Sequence, residues 1–340
     1  VGHLRMPEDA VWRLAGKDGK APIVWHDKYD FPLPLELAQP RHLNPQKRAQ
    51  IGLKAQAILG DSVNLSEAPR IDRDPVDLYD GIRAVHGREY LHGLTNDSKK
   101  IAHAMQIPVG EINKYPFESR QQTFVEPALY ATSGTILAAR LALDHGWSIN
   151  TSGGFHHAGR NKAEGFCLFA DIPIALAALR IRSNNLRALI IDLDAHHGNG
   201  TLEILGKDPL VTIFDVFNKN AYPCNSMAEL PQGEFLYPVS GTISDRDYLG
   251  ILEANLSRAI ESAAPNIIFF NAGYDVWLGD PLAQMSLSAD AILQRDRLVF
   301  SEAKRVGVPI AMVVSGGYHP DVSSVVANTI KMVKEEFVTV

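Results

Sequence analysis

Side chains able to do chemistry recur at five places in this chain: His156-His157, Asp192-Leu193-Asp194-Ala195-His196, Asp215, Asp275 and Tyr318. The richest stretch is Ile190-Ile191-Asp192-Leu193-Asp194-Ala195-His196-His197-Gly198-Asn199-Gly200. Its apolar start reads as a buried strand. Strand alternation places Asp192, Asp194 and His196 on one face, because side chains two apart share a side. Gly198 and Gly200 then end the strand in a tight turn. Carboxylate oxygen and imidazole nitrogen without thiolate suit a catalytic Zn²⁺ or Fe²⁺ better than a closed structural zinc. Asp194 and His196 need a third protein ligand that leaves one position open, and Asp275, after an apolar run and Ala272-Gly273, is the best candidate. Such a centre would polarise a carbonyl and acidify a water.

His156-His157 follow Gly153-Gly154, which let the backbone approach a ligand closely. A neutral imidazole takes a proton from an attacking water, and an imidazolium returns it to a leaving amine. Each ring needs an acceptor for its other nitrogen. Asp192 could hold one and Asn199 the other. Tyr318, in a Gly-Gly-Tyr turn, can donate to a tetrahedral oxyanion, a contact worth about 3–4 kcal/mol of barrier. The bland readings are a solvated strand end, a structural histidine pair and a half-buried loop tyrosine. Five reactive strand ends in one chain favour a single site, and its reaction class is metal-assisted amide hydrolysis. No Ser-His-Asp elbow or phosphate loop competes, and Gly153-Gly154 lack dinucleotide-binding spacing.

These residues need elements to bring them together. Strands are expected at 23–25, 147–150, 188–191, 211–215, 267–270 and 309–314. Helices are expected at 46–59, 77–94, 131–145, 171–182, 246–263, 289–305 and 322–336, with Asp171 as an N-cap. Prolines at 32, 34, 40 and 45 mark an extended loop, and 108–127 also reads as loop. His86 and His92 read as ordinary helix residues, on the surface or partly buried. The alternation predicts an α/β fold: a single domain with a mostly parallel central sheet and helices on both faces. In such sheets ligands bind beyond the carboxyl ends of the strands. Residues 1–20 read as a lead-in and 21–340 as the catalytic domain.

Composition is ordinary for a globular enzyme, with 46% hydrophobic and 21% charged residues over 340 positions. A net charge of −6 argues against direct nucleic-acid binding. Cys167 and Cys224 supply no disulfide framework, which favours a reducing intracellular compartment, cytoplasmic or nuclear. No apolar run reaches the roughly 18 residues of a membrane span, and no signal peptide is visible. The chain starts Val1-Gly2-His3, which leaves room for a targeting segment ahead of it.

Taken together, Gly153-Gly154-Phe155-His156-His157-Ala158, Gly165-Phe166-Cys167, the 192–200 stretch, Asn271-Ala272-Gly273-Tyr274-Asp275, Gly279-Asp280-Pro281-Leu282 and Ser315-Gly316-Gly317-Tyr318 resemble the zinc-dependent histone deacetylases of the arginase–deacetylase superfamily. The resemblance spans roughly 20–335. The 190–196 phrase, Gly146-Trp147-Ser148-Ile149-Asn150, Arg295-Asp296 and the Tyr318 turn look most like the class IV branch. The resemblance implies one Zn²⁺ per chain on Asp194, His196 and Asp275, proton transfer by His156 and His157, and Tyr318 on the substrate carbonyl. It implies a K⁺ near the zinc, held by the Asp192 side chain and main-chain oxygens around Asp194 and His196, with Asp215 joining. It implies an acyl-lysine tunnel walled by Gly165 and Phe166, with Tyr222 opposite and Leu282 at the rim. The implied partner is an acyl-lysine peptide or protein, histone among them.

Two departures matter. Asn199 stands where class I members place a carboxylate, as in classes II and IV. Ala221-Tyr222-Pro223 replaces an aromatic pair, which leaves acyl-chain preference open, and class IV is known for long fatty acyl groups. An arginase-like di-metal hydrolase would need further carboxylates at Gly198 and Trp277. A small-molecule deacetylase of the same fold, acting on acetylpolyamines, is the main alternative. A non-catalytic acyl-lysine-binding scaffold is the alternative of a different class.

Overall fold

The computed structural model describes residues 13–15, 23–33, 35–38, 47–59, 75–224 and 231–337. Most of the expected lead-in at 1–20 therefore lies outside the described residues.

In chain order the elements are strands β1 (Arg13–Ala15) and β2 (Ile23–Trp25), then helices α1 (Leu35–Ala38), α2 (Lys47–Leu59), α3 (Pro75–Val85), α4 (Arg88–Asn96), α5 (Ser98–Met105), α6 (Val109–Ile112), α7 (Phe117–Arg120) and α8 (Glu126–His145). There follow β3 (Trp147–Asn150), α9 (Asp171–Arg180), β4 (Ala188–Asp192), α10 (Asn199–Leu205), β5 (Val211–Asn218), β6 (Leu236–Val239) and α11 (Asp245–Ala263). The chain ends with β7 (Ile267–Ala272), α12 (Ala289–Val306), β8 (Ile310–Val314) and α13 (Val322–Glu336).

The strands form one sheet in the order β1-β2-β3-β8-β7-β4-β5-β6. All neighbours are parallel except β1, which pairs antiparallel to β2 at one edge. The α/β architecture with a mostly parallel sheet is as expected. Strand residues alternate between two cores. Ile190, Phe269 and Val313 face one layer, formed with α8 and α9. Leu189, Ile191, Ile268, Phe270 and Met312 face the other, formed with α11, α12 and α13. Burial on both faces is why these strands are almost wholly apolar. β3 lies beside β8, and β7 beside β4, although each pair is far apart in sequence, so these carboxyl ends lie where strand order reverses.

Three local expectations fail for identifiable reasons. The 108–127 stretch contains α6, α7 and a π turn at Gln121–Val125 that runs into α8. Its prolines sit where no helical N–H is needed: Pro108 and Pro116 are N-cap residues and Pro127 is in the first turn of α8. The helix expected at 77–94 is two helices, broken at His86 and Gly87. His86 is buried there, not superficial. Finally β5 continues to Asn218, so Asp215 is interior to the strand, opposite Asp192.

Candidate active site

β4 stops at Asp192, so strand alternation does not place Asp194 and His196. Side chains place them instead. Asp192 Oδ1 accepts the Asp194 N–H at 3.2 Å, and Asp194 Oδ1 accepts the His196 N–H at 3.0 Å. Two aspartates each binding a backbone amide two residues on curl the chain just past the strand. Gly198 is then the N-cap of α10 and Gly200 lies within it, so neither forms the expected turn.

Asp275 follows β7. Its Oδ1 accepts the Ala195 N–H at 3.0 Å, and its Oδ2 lies 2.9 Å from His196 Nδ1. Asp194 Oδ2 accepts from Ser315 Oγ at 2.8 Å and Gly316 N–H at 2.9 Å, which brings in the end of β8. The backbones are crowded together: a Cβ on Gly273 would stand 2.3 Å from Asp194 Cα, and one on Gly316 would stand 2.4 Å from Asp275 Oδ2. Only glycine permits this approach. Asp194, His196 and Asp275 offer ligand atoms within 4.8 Å of one another. Burial, then the Asp194 charge, pushes the Asp275 carboxyl up to about 6. Burial lowers the His196 pKa, but hydrogen bonds to Asp194 and Asp275 outweigh it and raise it to about 10. Two buried carboxylates and an imidazole drawn towards each other in this way fit a divalent cation, and the donor set suits a single zinc.

Behind this cluster, Arg295 of α12 is fully buried. Its Nη1 donates to Leu193 O at 3.1 Å and Gly273 O at 2.6 Å, one carbonyl from each ligand-bearing segment. Its Nε donates to Asp296 Oδ1 at 2.8 Å, while Asp296 Oδ2 accepts from Tyr274 and Thr329.

The histidine pair sits on the loop after β3. His156 Nδ1 lies 2.8 Å from Asp192 Oδ2, and His157 Nδ1 lies 2.7 Å from Asn199 Oδ1. The loop is anchored by Asp171, whose carboxylate accepts the N–H groups of Gly154 at 2.9 Å and Phe155 at 2.7 Å and the Thr135 hydroxyl at 2.7 Å. Asp171 is therefore not the expected N-cap. Ala170 holds that position, with no side-chain cap bond. Burial lowers the His156 pKa, but the Asp192 charge leads the groups that raise it to about 9. Burial, with His156 and His196 alongside, holds His157 well below the usual imidazole range.

Tyr318 faces Phe166 across a cavity, ring centroids 6.0 Å apart. Its N–H donates to Asp280 Oδ2 at 2.6 Å, and burial followed by the Asp275 and Asp194 charges keeps the phenol protonated. His156, His157, Asp194, His196, Gly165, Phe166 and Tyr318 all line this cavity. Phe166 holds φ at 65°, a conformation unusual for a side chain of its size. Tyr222 stands edge-on to His157 at 5.0 Å. Leu282 is not a lining residue; Asp280 Oδ1 accepts its N–H, beside the oxygen that holds Tyr318.

Asp215 faces Asp192 across β4 and β5. Its Oδ2 accepts from the Gly198 N–H at 3.1 Å and lies 2.7 Å from His197 Nδ1, while its buried Oδ1 has no hydrogen-bond partner. Burial pushes this carboxyl up to about 6.

Three residues here have no role of their own in the sequence: Asn271 stands only as part of the 271–275 motif, and Lys47 and Arg48 in no motif. Asn271 Nδ2 donates to Asp192 Oδ1 at 2.8 Å. Lys47 Nζ donates to Ser315 O at 2.9 Å, and Arg48 donates to Thr151 O, Val314 O and Ser315 O. Their roles come from partners more than 100 positions away for every bond but one to β4, so no local spacing could reveal them.

A family model for the histone deacetylase domain matches residues 42–333. The chain is 33% identical over 319 residues to histone deacetylase 2 of Arabidopsis thaliana, covering 92% of this chain and 78% of that one. It is 31% identical over 312 residues to an uncharacterised protein of Picosynechococcus, covering 90% and 94%. Over 203 residues, 57% of this chain and 60% of the other, it is 31% identical to a probable deacetylase of Methanothermobacter thermautotrophicus. Among solved structures it superposes on the HD domain of HDA15 with a TM-score of 0.69 at 20% identity, covering 94% of this chain and 89% of that one, a likeness of fold.

Proposed function

This chain belongs to the histone deacetylase family as a deacetylase-type hydrolase, and we propose that it is a zinc-dependent lysine deacylase, cleaving the amide of Nε-acyl-lysine in peptides or proteins, histones among them. One observation carries this reading: a buried Asp194–His196–Asp275 cluster opens on the same cavity as the His156–His157 pair and Tyr318. Zn²⁺, when bound by those three residues, would supply Lewis acidity to the carbonyl and to a water.

The remaining roles belong to the chain's own groups. His157, kept neutral, accepts a proton at Nε2 and returns it to the departing lysine amine. His156, paired with Asp192, carries positive charge beside the reacting carbon. Tyr318 donates its phenolic proton as a hydrogen bond to the oxygen that gains charge. Phe166 and Gly165 wall the acyl-lysine stem, with Tyr222, edge-on to His157, on the opposite side. The orphaned Asp215 Oδ1, next to Asp192, suits a K⁺ that Asp192 and main-chain oxygens of Asp194 and His196 would also hold. A single catalytic domain over 21–340 and a reducing cytoplasmic or nuclear setting complete the proposal. Among the described residues no helix is long and apolar enough to cross a membrane.

Within the family we place the chain in the class IV branch, on the 190–196 phrase, Gly146-Trp147-Ser148-Ile149-Asn150, Arg295-Asp296 and the Tyr318 turn; Asn199 separates it from class I alone. Long acyl chains are then the favoured substrates. Zinc-loaded protein should be assayed on lysine peptides with acyl groups from acetyl to myristoyl, and on acetylpolyamines. A fitting tunnel gains about 0.8 kcal/mol, roughly fourfold, per buried methylene. kcat/KM rising with chain length is expected. A monotonic fall would overturn the long-chain reading, and a preference for acetylpolyamines would reassign the substrate. No hydrolysis of any of them would leave a binding scaffold as the better reading.

A further inference from the structure

The two histidines of the pair are oriented by different chemistry. Asp192 meets His156 directly, whereas His157 meets an amide, Asn199. An asparagine amide has one accepting and one donating end, and a flipped amide would present its NH₂ to the ring. What fixes it here is Glu164. Glu164 Oε1 accepts from Asn199 Nδ2 at 2.6 Å and from Lys162 Nζ at 2.7 Å. An ionised carboxylate only accepts. The Asn199 NH₂ must therefore face Glu164, which leaves Asn199 Oδ1 facing His157. A carbonyl oxygen also only accepts, so His157 Nδ1 must carry the hydrogen. The neutral ring then has its lone pair at Nε2, on the far side from Asn199.

We infer that Glu164 is a positioning residue that selects the Nδ1–H tautomer of His157 by relay through the Asn199 amide. The inference rests on the proposed role of His157 as the proton acceptor. The Glu164 backbone is built into the fold. Cys167 N–H donates to Glu164 O at 2.9 Å, closing the turn that presents Gly165 and Phe166 to the cavity. The Glu164 side chain is 18% exposed. Burial would raise its pKa, but the hydrogen bonds from Lys162 and Asn199 outweigh it and hold the carboxyl ionised below its usual range. Glu164 also shares a hydrogen bond with Tyr222, whose ring stands against His157. The relay gives His157 direction without a full negative charge beside it, whereas Asp192 meets His156 directly. No step of the reaction passes through Glu164 itself.

The test reads the tautomer and the rate separately. In zinc-loaded protein with ¹⁵N-labelled imidazoles, NMR should report His157 as Nδ1–H with an unprotonated Nε2. An Nε2–H tautomer in this protein overturns the inference outright, whether or not any variant folds. Glu164→Met, which removes the acceptor, should give mixed tautomers. Its kcat should fall on the order of tenfold or more with KM and bound zinc unchanged. Glu164→Gln, which can still accept from Asn199, should restore most of the loss. In an Asn199→Asp background, where a carboxylate meets His157 directly and crowds Glu164, Glu164→Met removes a like-charge clash and should not lower kcat. A pure Nδ1–H spectrum in Glu164→Met, or an equal loss in both backgrounds, would show that Glu164 acts elsewhere. If the wild-type protein hydrolyses no acyl-lysine, the functional reading fails while the spectrum still decides the tautomer.

Discussion

Tyr318 is useful only as long as its phenol keeps a proton to donate. Burial and the neighbouring carboxylates ensure that, and its backbone is pinned by Asp280. Tyr318→Phe keeps the ring that packs towards Phe166 and removes only the donor. We expect kcat to fall by about 10²–10³-fold with zinc content unchanged, measured by steady-state kinetics beside metal analysis. A loss below threefold would remove Tyr318 from the chemistry. At this scale the metal cluster was legible, because Asp194, His196 and Asp275 have types and spacing that few other functions need. The bonds by which Asp171, Asn271 and Glu164 act were not, although Asn271 stood in a recognised motif and Asp171 was read as an N-cap. Each acts through a hydrogen bond whose partner lies on another element, and an isolated acid or amide in a sequence has many ordinary explanations.

Among the elements, α12 bears directly on the site through Arg295. Its guanidinium joins the carbonyls of Leu193 and Gly273 and neutralises Asp296 in a fully buried setting. Arg295→Met strands a buried carboxylate. It should cost about 3–5 kcal/mol, read as a lower urea midpoint. An unchanged midpoint would mean that Asp296 finds another partner. The break between α3 and α4 is a second case. Buried His86 accepts the Ala170 N–H on Nε2 at 3.0 Å, just before α9, so only the neutral ring fits. Burial lowers its pKa from 6.5 to about 4. The folded value lies below the unfolded one, so this contribution is complete above pH 6.5 and is lost as pH falls from 6.5 through about 4. Its full size is about 3 kcal/mol. Between pH 7 and 4 His86→Gln should lose about 3 kcal/mol less stability than the wild type. Helix identity here was readable from periodicity and small residues, as in α8 and α13. The α3–α4 break and the helical content of 108–127 were not, because a proline or glycine looks the same to the eye in a loop and at a helix start.

For the whole molecule, the three metal ligands come from segments after β4 and β7, and β8 supports them through Ser315 and Gly316. An ion bound there holds neighbouring strand ends that are distant in sequence, and the unfolded chain has no such cluster. Zinc at 100 times its Kd should therefore add about 2.7 kcal/mol of stability. Stripping with a chelator should lower Tm and abolish hydrolysis, and added Zn²⁺ should restore both. A Tm indifferent to the metal would argue against these ligands. The α/β class, the parallel sheet and the family were legible in the residues, because strands buried on both faces must be apolar and the reactive residues must follow them. Asp192 and Asn199 were expected as the acceptors of the histidine pair; which acceptor serves which ring, and how the metal-binding groups are aimed, came only from the tertiary structure. Asp194 and His196 are aimed by backbone turns past the strand and not by strand pleat. His156 and His157 are set apart by one direct and one relayed carboxylate. Those outcomes depend on hydrogen bonds between elements far apart in the chain, and such bonds leave no periodicity to read.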